Sequence, residues 1–207
     1  FFMKLSQIEY VRPNKDEMLA KLREFKEQFN NAKSVEEFYV VHEQYKQFSI
    51  DTSTNMRIAF IRFTQDTRNE FYAAEQDYLD EITPEIAVAN AEVANCYLTP
   101  PYRKEIEKRF PAVMFVNLQM AVDAANPAIV ADRVEENKLT TSYTKLMSGI
   151  VIDFNGEKLT MAGIGKYFTD PDRELRKKAV YAWGQSIKDN GAALDEIYDK
   201  LVAVRTK

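Results

Sequence analysis

The side chains with the most chemical reach in this chain are one histidine and one cysteine. His42 is the only imidazole and Cys96 the only thiol among 207 residues. His42 opens the run His42-Glu43-Gln44-Tyr45-Lys46. A helix that holds a catalytic zinc often reads His-Glu-x-x-His, with two imidazoles one turn apart and the glutamate as base. In this run the second imidazole is replaced by Lys46, which would be a cation beside a cation. Catalytic zinc usually takes three protein ligands, and no third soft ligand exists here. No catalytic residue and no metal ligand is assigned to these 207 residues, and the substrate-binding residues stay unassigned.

The other candidates have plain structural readings. His42 follows Val40-Val41 within a turn of Phe38 and Tyr45, as a partly buried or surface histidine does. Cys96, between Val93 and Tyr97, reads as a small core residue, with only the distant Arg103 to lower its pKa. Nucleophilic triads assemble in space, but nothing local resembles a nucleophile elbow. Asp80-Glu81 and Glu135-Glu136 are neighbours that do not face one another on a helix, so both read as solvated charge. A di-metal bundle needs Glu-x-x-His on two helices, which one histidine cannot supply. Gly163-Ile164-Gly165 lacks a third glycine and a preceding Rossmann unit. Asp170 and Asp172 put negative charge at a helix start, so capping accounts for them better than anion binding.

These side chains must be positioned by helices. Seven prolines and six glycines punctuate the chain sparsely. Thr83-Pro84-Glu85, Thr99-Pro100, Asn126-Pro127 and Asp170-Pro171-Asp172 read as helix starts, with a capping side chain before proline at the first helical position. Asn14 and Ser34-Val35-Glu36-Glu37 are further starts, and Thr67-Arg68-Asn69-Glu70 repeats the capping-box spacing. Met18, Leu22, Phe25 and Phe29 share one helical face, and Phe38, Val41, Tyr45 and Phe48 share another. Ile58, Ile61, Phe60 and Phe63 predict a third helix. Phe71, Tyr78 and Leu79 predict a fourth, and Ile86, Ala89, Val93 and Tyr97 carry the series on. Further helices run from Pro111 to about Ala124, from Pro127, from Asp170 with Leu175, Ala179, Ala182 and Trp183 inward, and from about Ala192.

One segment differs. Gly149 to Leu159 is β-branched and broken by Asn155-Gly156, a type I′ hairpin signal. The predicted fold is mostly α: an elongated array of antiparallel helices with one small β-hairpin near 149–160. A first helical part covers 1–110 and a second covers 111–207. Leu194, Ile197, Tyr198, Leu201 and Val204 are still in period at Lys207, so the chain reads as cut mid-helix, with an apolar patch where the missing part packs. Phe1-Phe2 reads as sequence ahead of a natural start at Met3.

Composition narrows the class. Hydrophobic content of 45% with 29% charge suits a globular chain. A net charge of −4 and a pI near 5.3 argue against nucleic acid. No apolar run reaches the length of a membrane span, and no signal segment opens the chain. A single cysteine fits a reducing compartment, so a cytoplasmic protein is the expectation.

Four stretches resemble the amino-terminal region of the oligoendopeptidase F family of zinc metallopeptidases, relatives of thimet oligopeptidase. They are Ile8-Glu9-Tyr10-Val11-Arg12-Pro13, and Phe71-Tyr72-Ala73-Ala74-Glu75-Gln76-Asp77. The third is Glu135-Glu136-Asn137-Lys138-Leu139 with Tyr143-Thr144-Lys145-Leu146. The fourth runs from Asp170 to Ala179, followed by Leu194-Asp195-Glu196-Ile197-Tyr198 and Val204-Arg205-Thr206. The resemblance implies a helical shell around a channel for oligopeptide substrates, with zinc held by a missing C-terminal catalytic part. None of that part's ligands or its glutamate base lies here, so no zinc is expected on this chain. The competing class is a free-standing helical module that binds proteins or peptides without catalysis.

The 207-residue chain alone is expected to bind no stoichiometric zinc and to cleave no quenched fluorescent peptide above background. Chelator-sensitive cleavage that survives removal of contaminating proteases would place chemistry in residues assigned here to scaffold.

Overall fold

The computed structural model describes residues 7–207, and the Phe1-Phe2-Met3 reading falls outside the described residues. α1 (Lys15–Asn31) starts at Asn14, whose side chain accepts from the amides of Asp16 and Glu17. α2 (Val35–Gln65) starts at Ser34, which accepts from Glu37 N. The Glu37 carboxylate then takes the amide of Lys33. α3 (Glu70–Leu98) is capped by Asn69, not by Thr67, because it is the Asn69 oxygen that reaches the amide of Tyr72.

The predicted third helix is the second half of α2. The polar run between the two apolar stretches does not break the helix, because its side chains bond backward along it. Thr52 Oγ1 donates to Phe48 O at 2.8 Å, and Asn55 Nδ2 to Asp51 O at 3.1 Å. The start predicted at Thr83-Pro84 is likewise absent, and Pro84 lies buried inside α3. Thr83 Oγ1 donates to Leu79 O at 2.5 Å instead of capping. A mid-helix proline leaves the carbonyl four residues back without its donor. Here that carbonyl is Asp80 O, and Asn137 Nδ2 donates to it at 3.1 Å from another helix.

Thr99 ends α3 rather than starting its successor, and the short α4 (Arg103–Glu107) has no side-chain cap. α5 (Ala112–Ala124) leads to a 3₁₀ turn at Pro127–Ile129, which Asn126 caps as predicted, and into α6 (Val130–Gly149). β1 (Val151–Phe154) and β2 (Glu157–Thr160) pair antiparallel, with Val151 opposite Thr160. Their turn has positive φ at Asn155 (54°) and Gly156 (81°), the backbone that the Asn-Gly pair predicts. A 3₁₀ segment (Gly163–Thr169) crosses to α7 (Arg173–Asp189), and α8 (Gly191–Arg205) follows. Asp172, not Asp170, caps α7. The Asp170 carboxylate accepts from Asp172 N, so Pro171 precedes the helix.

Two apolar clusters organise these elements. The first gathers Met18, Leu22, Phe25 and Phe29 of α1 with Phe38 and Ala59 of α2, Leu79 to Leu98 of α3, Ile106 and Phe115. α1, α2, α5 and α6 all pack on α3. The rings of Phe29, Phe38 and Tyr97 meet at 4.7 to 5.1 Å between centroids. The second cluster joins Ile150, Ile152, Ile164, Tyr167 and Ala179, so the hairpin is roofed by the 3₁₀ segment and α7. Leu175 and Ala182 pack there as predicted, but Trp183 is 39% exposed, because α7 turns only its Ala179 side to the hairpin.

Phe38 is fully buried between Phe29, Tyr97 and Tyr102. Phe38→Ala is expected to cost about 3–5 kcal/mol in urea unfolding, as large-to-small changes in packed cores do. A loss below about 1 kcal/mol would mean that this ring is not central to the core.

Candidate functional site

His42, on α2, is occupied structurally. Its Nδ1 lies 2.8 Å from the Tyr97 hydroxyl, and its ring meets Phe110 at 4.9 Å between centroids. Burial lowers its pKa, with Glu43 opposing and Lys46 assisting, which favours the neutral ring. Lys46 donates to Glu43, one turn back on the same helix. Cys96 is buried, and its Sγ lies 3.5 Å from Asn30 Oδ1 beside α1; burial raises its pKa. Adjacent positions on α3 point different ways, so His42 at Tyr97 and Cys96 at Asn30 are not brought together. Among the described residues no three of His, Cys, Asp and Glu group so as to hold a metal. These residues do not fit a zinc site.

What the structure does bring together is the first three stretches that carry the resemblance and the Val204-Arg205-Thr206 end of the fourth. Glu75 on α3 is 3% exposed. It accepts from Tyr10 Oη at 2.5 Å and from Arg12 Nε at 2.9 and 3.0 Å and Nη2 at 2.6 Å. Arg12 also stacks on the Tyr78 ring, 4.5 Å from its centroid. Tyr78 Oη donates to Pro13 O and accepts from Lys15 N, and Arg62 donates to Ile8 O and Tyr72 Oη. The first two stretches are therefore the two sides of one dock, which pins the segment before α1 against α3. Burial pushes the Glu75 carboxyl up, but the bonds from Arg12 and Tyr10 outweigh it, and the group titrates below the ordinary glutamate value.

A second carboxylate lies about one turn further on. Asp80, read from the sequence as solvated charge, is 6% exposed. Its oxygens accept from Gln76 Nε2 at 2.8 Å and from Thr141 Oγ1 of α6 at 2.6 Å. Gln76 Oε1 has no partner among the described residues. Around this seam, Lys138 pairs with Glu81 at 2.7 Å and Lys145 with Asp77 at 3.0 Å. The third stretch thus docks on α3, just as the first does. The end of α8 then reaches α6, with Arg205 Nε 2.7 Å from Glu136 and Lys207 Nζ 2.9 Å from Asp132. Burial raises the Asp80 carboxyl, even though Thr141 and Gln76 bond to its charged form.

The only sequence signal for this seam was position. Residues 76, 80 and 84 lie on one face of a helix, and Pro84 had disguised that helix as two. A family model described as the peptidase M3 N-terminal domain matches residues 5–125. The chain belongs to that family. Solved structures show the same fold over nearly all of it. A PZ peptidase A with an inhibitor is 34% identical, with a TM-score of 0.92 over 98% of this chain and 36% of its own. A protein named as an oligoendopeptidase F from Bacillus anthracis str. Ames is 33% identical, with a TM-score of 0.91 over 97% of this chain and 37% of its own. A further oligoendopeptidase F structure gives 33% and 0.93, over 99% of this chain and 36% of its own. The chain thus spans little more than a third of the length of these relatives. No curated protein matches it. Among the described residues no single helix is long and apolar enough to cross a membrane; α5 and residues 127–149 pass only as a pair bent by 64°.

The two buried carboxyls predict opposite pH behaviour. Glu75 titrates lower folded than unfolded, so it stabilises above its ordinary value near 4.5, and that contribution disappears as pH falls through the folded value. Glu75→Gln is expected to cost about 1–3 kcal/mol at pH 7 and much less at pH 3. Asp80 titrates higher folded than unfolded, so its ionisation opposes folding at neutral pH. Asp80→Asn keeps the shape and offers Gln76 Oε1 a donor. It is expected to be neutral or stabilising by up to about 1 kcal/mol at pH 7, with no gain at pH 3. Urea titrations at both pH values decide the matter, and equal losses from the two variants would contradict these assignments.

Proposed function

We propose that this chain is the amino-terminal, non-catalytic portion of a zinc metallo-oligopeptidase that hydrolyses short unfolded peptides. The observation that carries the reading is a whole-chain match, at about a third identity, to barely more than a third of three peptidase chains. In this reading the remainder of the polypeptide holds the zinc, which polarises the scissile carbonyl and activates water when bound. The residues described above do no bond-breaking. Their task is to hold a rigid wall of the channel that admits extended peptides and turns folded proteins away. The dock at Glu75 and the seam at Asp80 suit that task, since the first pins the segment before α1 and the second pins α6, both against α3, through hydrogen bonds to buried carboxyls.

The same proposal places the protein in the cytoplasm and divides it near residue 110 into two helical parts. α5 lies beyond that point, and Phe115 packs into the first cluster, so the division is one of chain order rather than of separate cores. The hairpin is assigned a structural role, closing the second cluster, since a lone two-stranded ribbon needs packing to persist.

A polypeptide extended to the length of the relatives is expected to cleave quenched oligopeptides, to lose that activity to a chelator and to regain it with zinc. It should leave a folded protein of similar composition intact. A reading frame that stops after Lys207 would instead support the free-standing helical module, as would an extended polypeptide with no chelator-sensitive cleavage.

A further inference from the structure

α5 holds a single charged residue, Asp123, in thirteen positions. One side of it packs inward through Phe115, with Met114, Leu118 and Val122 beside it. The other side carries an apolar stripe as well, since Val113, Val116 and Met120 are 62%, 57% and 63% exposed, with Asn117 and the bonded pair Gln119 and Asp123 flanking it. A surface helix normally turns polar side chains to water, and a helix apolar on both sides is characteristic of a buried one. The outer stripe continues into a hollow where α5 bends into α6, with Arg133, paired to Glu136, at its edge. Ala121, Ala124, Ala125 and Ile129 line that hollow, with Pro84 and Val88 of α3.

In the solved relatives the matching part is 36–37% of the chain, so roughly two thirds of those polypeptides lies outside it. A helix that lies on a lipid surface carries Lys or Arg on its polar face, and α5 has neither. We propose that the stripe Val113-Val116-Met120 docks the rest of this polypeptide, the part its relatives have and these residues lack. The contacting surface is largely apolar, and it seats a side chain in the hollow beside Pro84. The proposal rests on the amino-terminal reading above, and it names the face through which the two parts of the protein join.

Met120 is its own reporter, because an exposed thioether oxidises readily and a covered one does not. A pulse of hydrogen peroxide followed by peptide mass spectrometry compares the 207-residue chain with the extended polypeptide. The comparison is run at several concentrations, with peptide cleavage measured on the same extended preparation. Met120 should oxidise freely in the 207-residue chain at every concentration, and about tenfold more slowly in the extended polypeptide. Met18, buried in both, stays protected throughout. An extended polypeptide that cleaves peptides but oxidises Met120 at the free rate overturns the docking and leaves the proposed function standing. Protection without cleavage upholds the docking and sinks the peptidase reading. Protection that grows with concentration in the 207-residue chain overturns the docking in favour of a second copy.

Discussion

A carboxylate taken out of water must be met by donors, because breaking such a pair leaves an uncompensated buried charge that costs about 3–5 kcal/mol. α3 carries two of them. Glu75 is met by an arginine and a tyrosine from the segment before α1, and Asp80 by a threonine from α6 and a glutamine one turn back. These partners lie more than sixty positions away in sequence, apart from the glutamine, so the requirement to satisfy two acids fixes which distant segments may pack on α3. Apolar burial supplies the driving force around them, through Leu22, Phe25, Phe29 and Phe38. The carboxylates add direction to it.

This makes sense of a resemblance without an active site. Among the described residues no three of His, Cys, Asp and Glu group to hold a metal, and the side chains of the stretches that carry the resemblance meet structural partners. They are the two sides of the Glu75 dock, the α6 face of the Asp80 seam, and the end of α8 that reaches Glu136. Replacing one side of the Glu75 ion pair or of the Asp80 hydrogen bonds leaves its partner stranded. Pro84 belongs to the same arrangement: its missing amide frees the carbonyl of Asp80, and Asn137 of the third stretch fills the place.

Much of the fold was legible in the sequence. The faces of α1 and α2, the caps at Asn14 and Ser34, and the hairpin at Asn155-Gly156 follow from local rules that nothing overrides. What was hidden depended on distant partners. Thr83-Pro84 has the composition of a helix start, and only the bond from Asn137 shows how a helix runs through it. Asp80 beside Glu81 looks like surface charge until α6 covers one and leaves the other to pair with Lys138. Trp183 falls in period with Leu175 and Ala179, yet α7 turns its Ala179 side to the hairpin cluster and leaves Trp183 39% exposed. His42 and Cys96 could be placed as structural residues from their neighbours, although the Tyr97 hydroxyl that engages His42 could not.

The central claim is that α3, with its two satisfied acids, is the element on which the first cluster depends. Native-state hydrogen exchange on the 207-residue chain tests it most directly, because it ranks segments by the free energy of their opening. The amides of α3 between Glu75 and Val93 are predicted to exchange only through global unfolding. Those of Lys15 to Met18, at the start of α1 beside the dock, should follow at nearly the same free energy, and α7 and the hairpin should open earlier. If α3 exchanges through local openings while α7 or the hairpin remains protected, α3 is not the element on which the fold depends and the account is wrong.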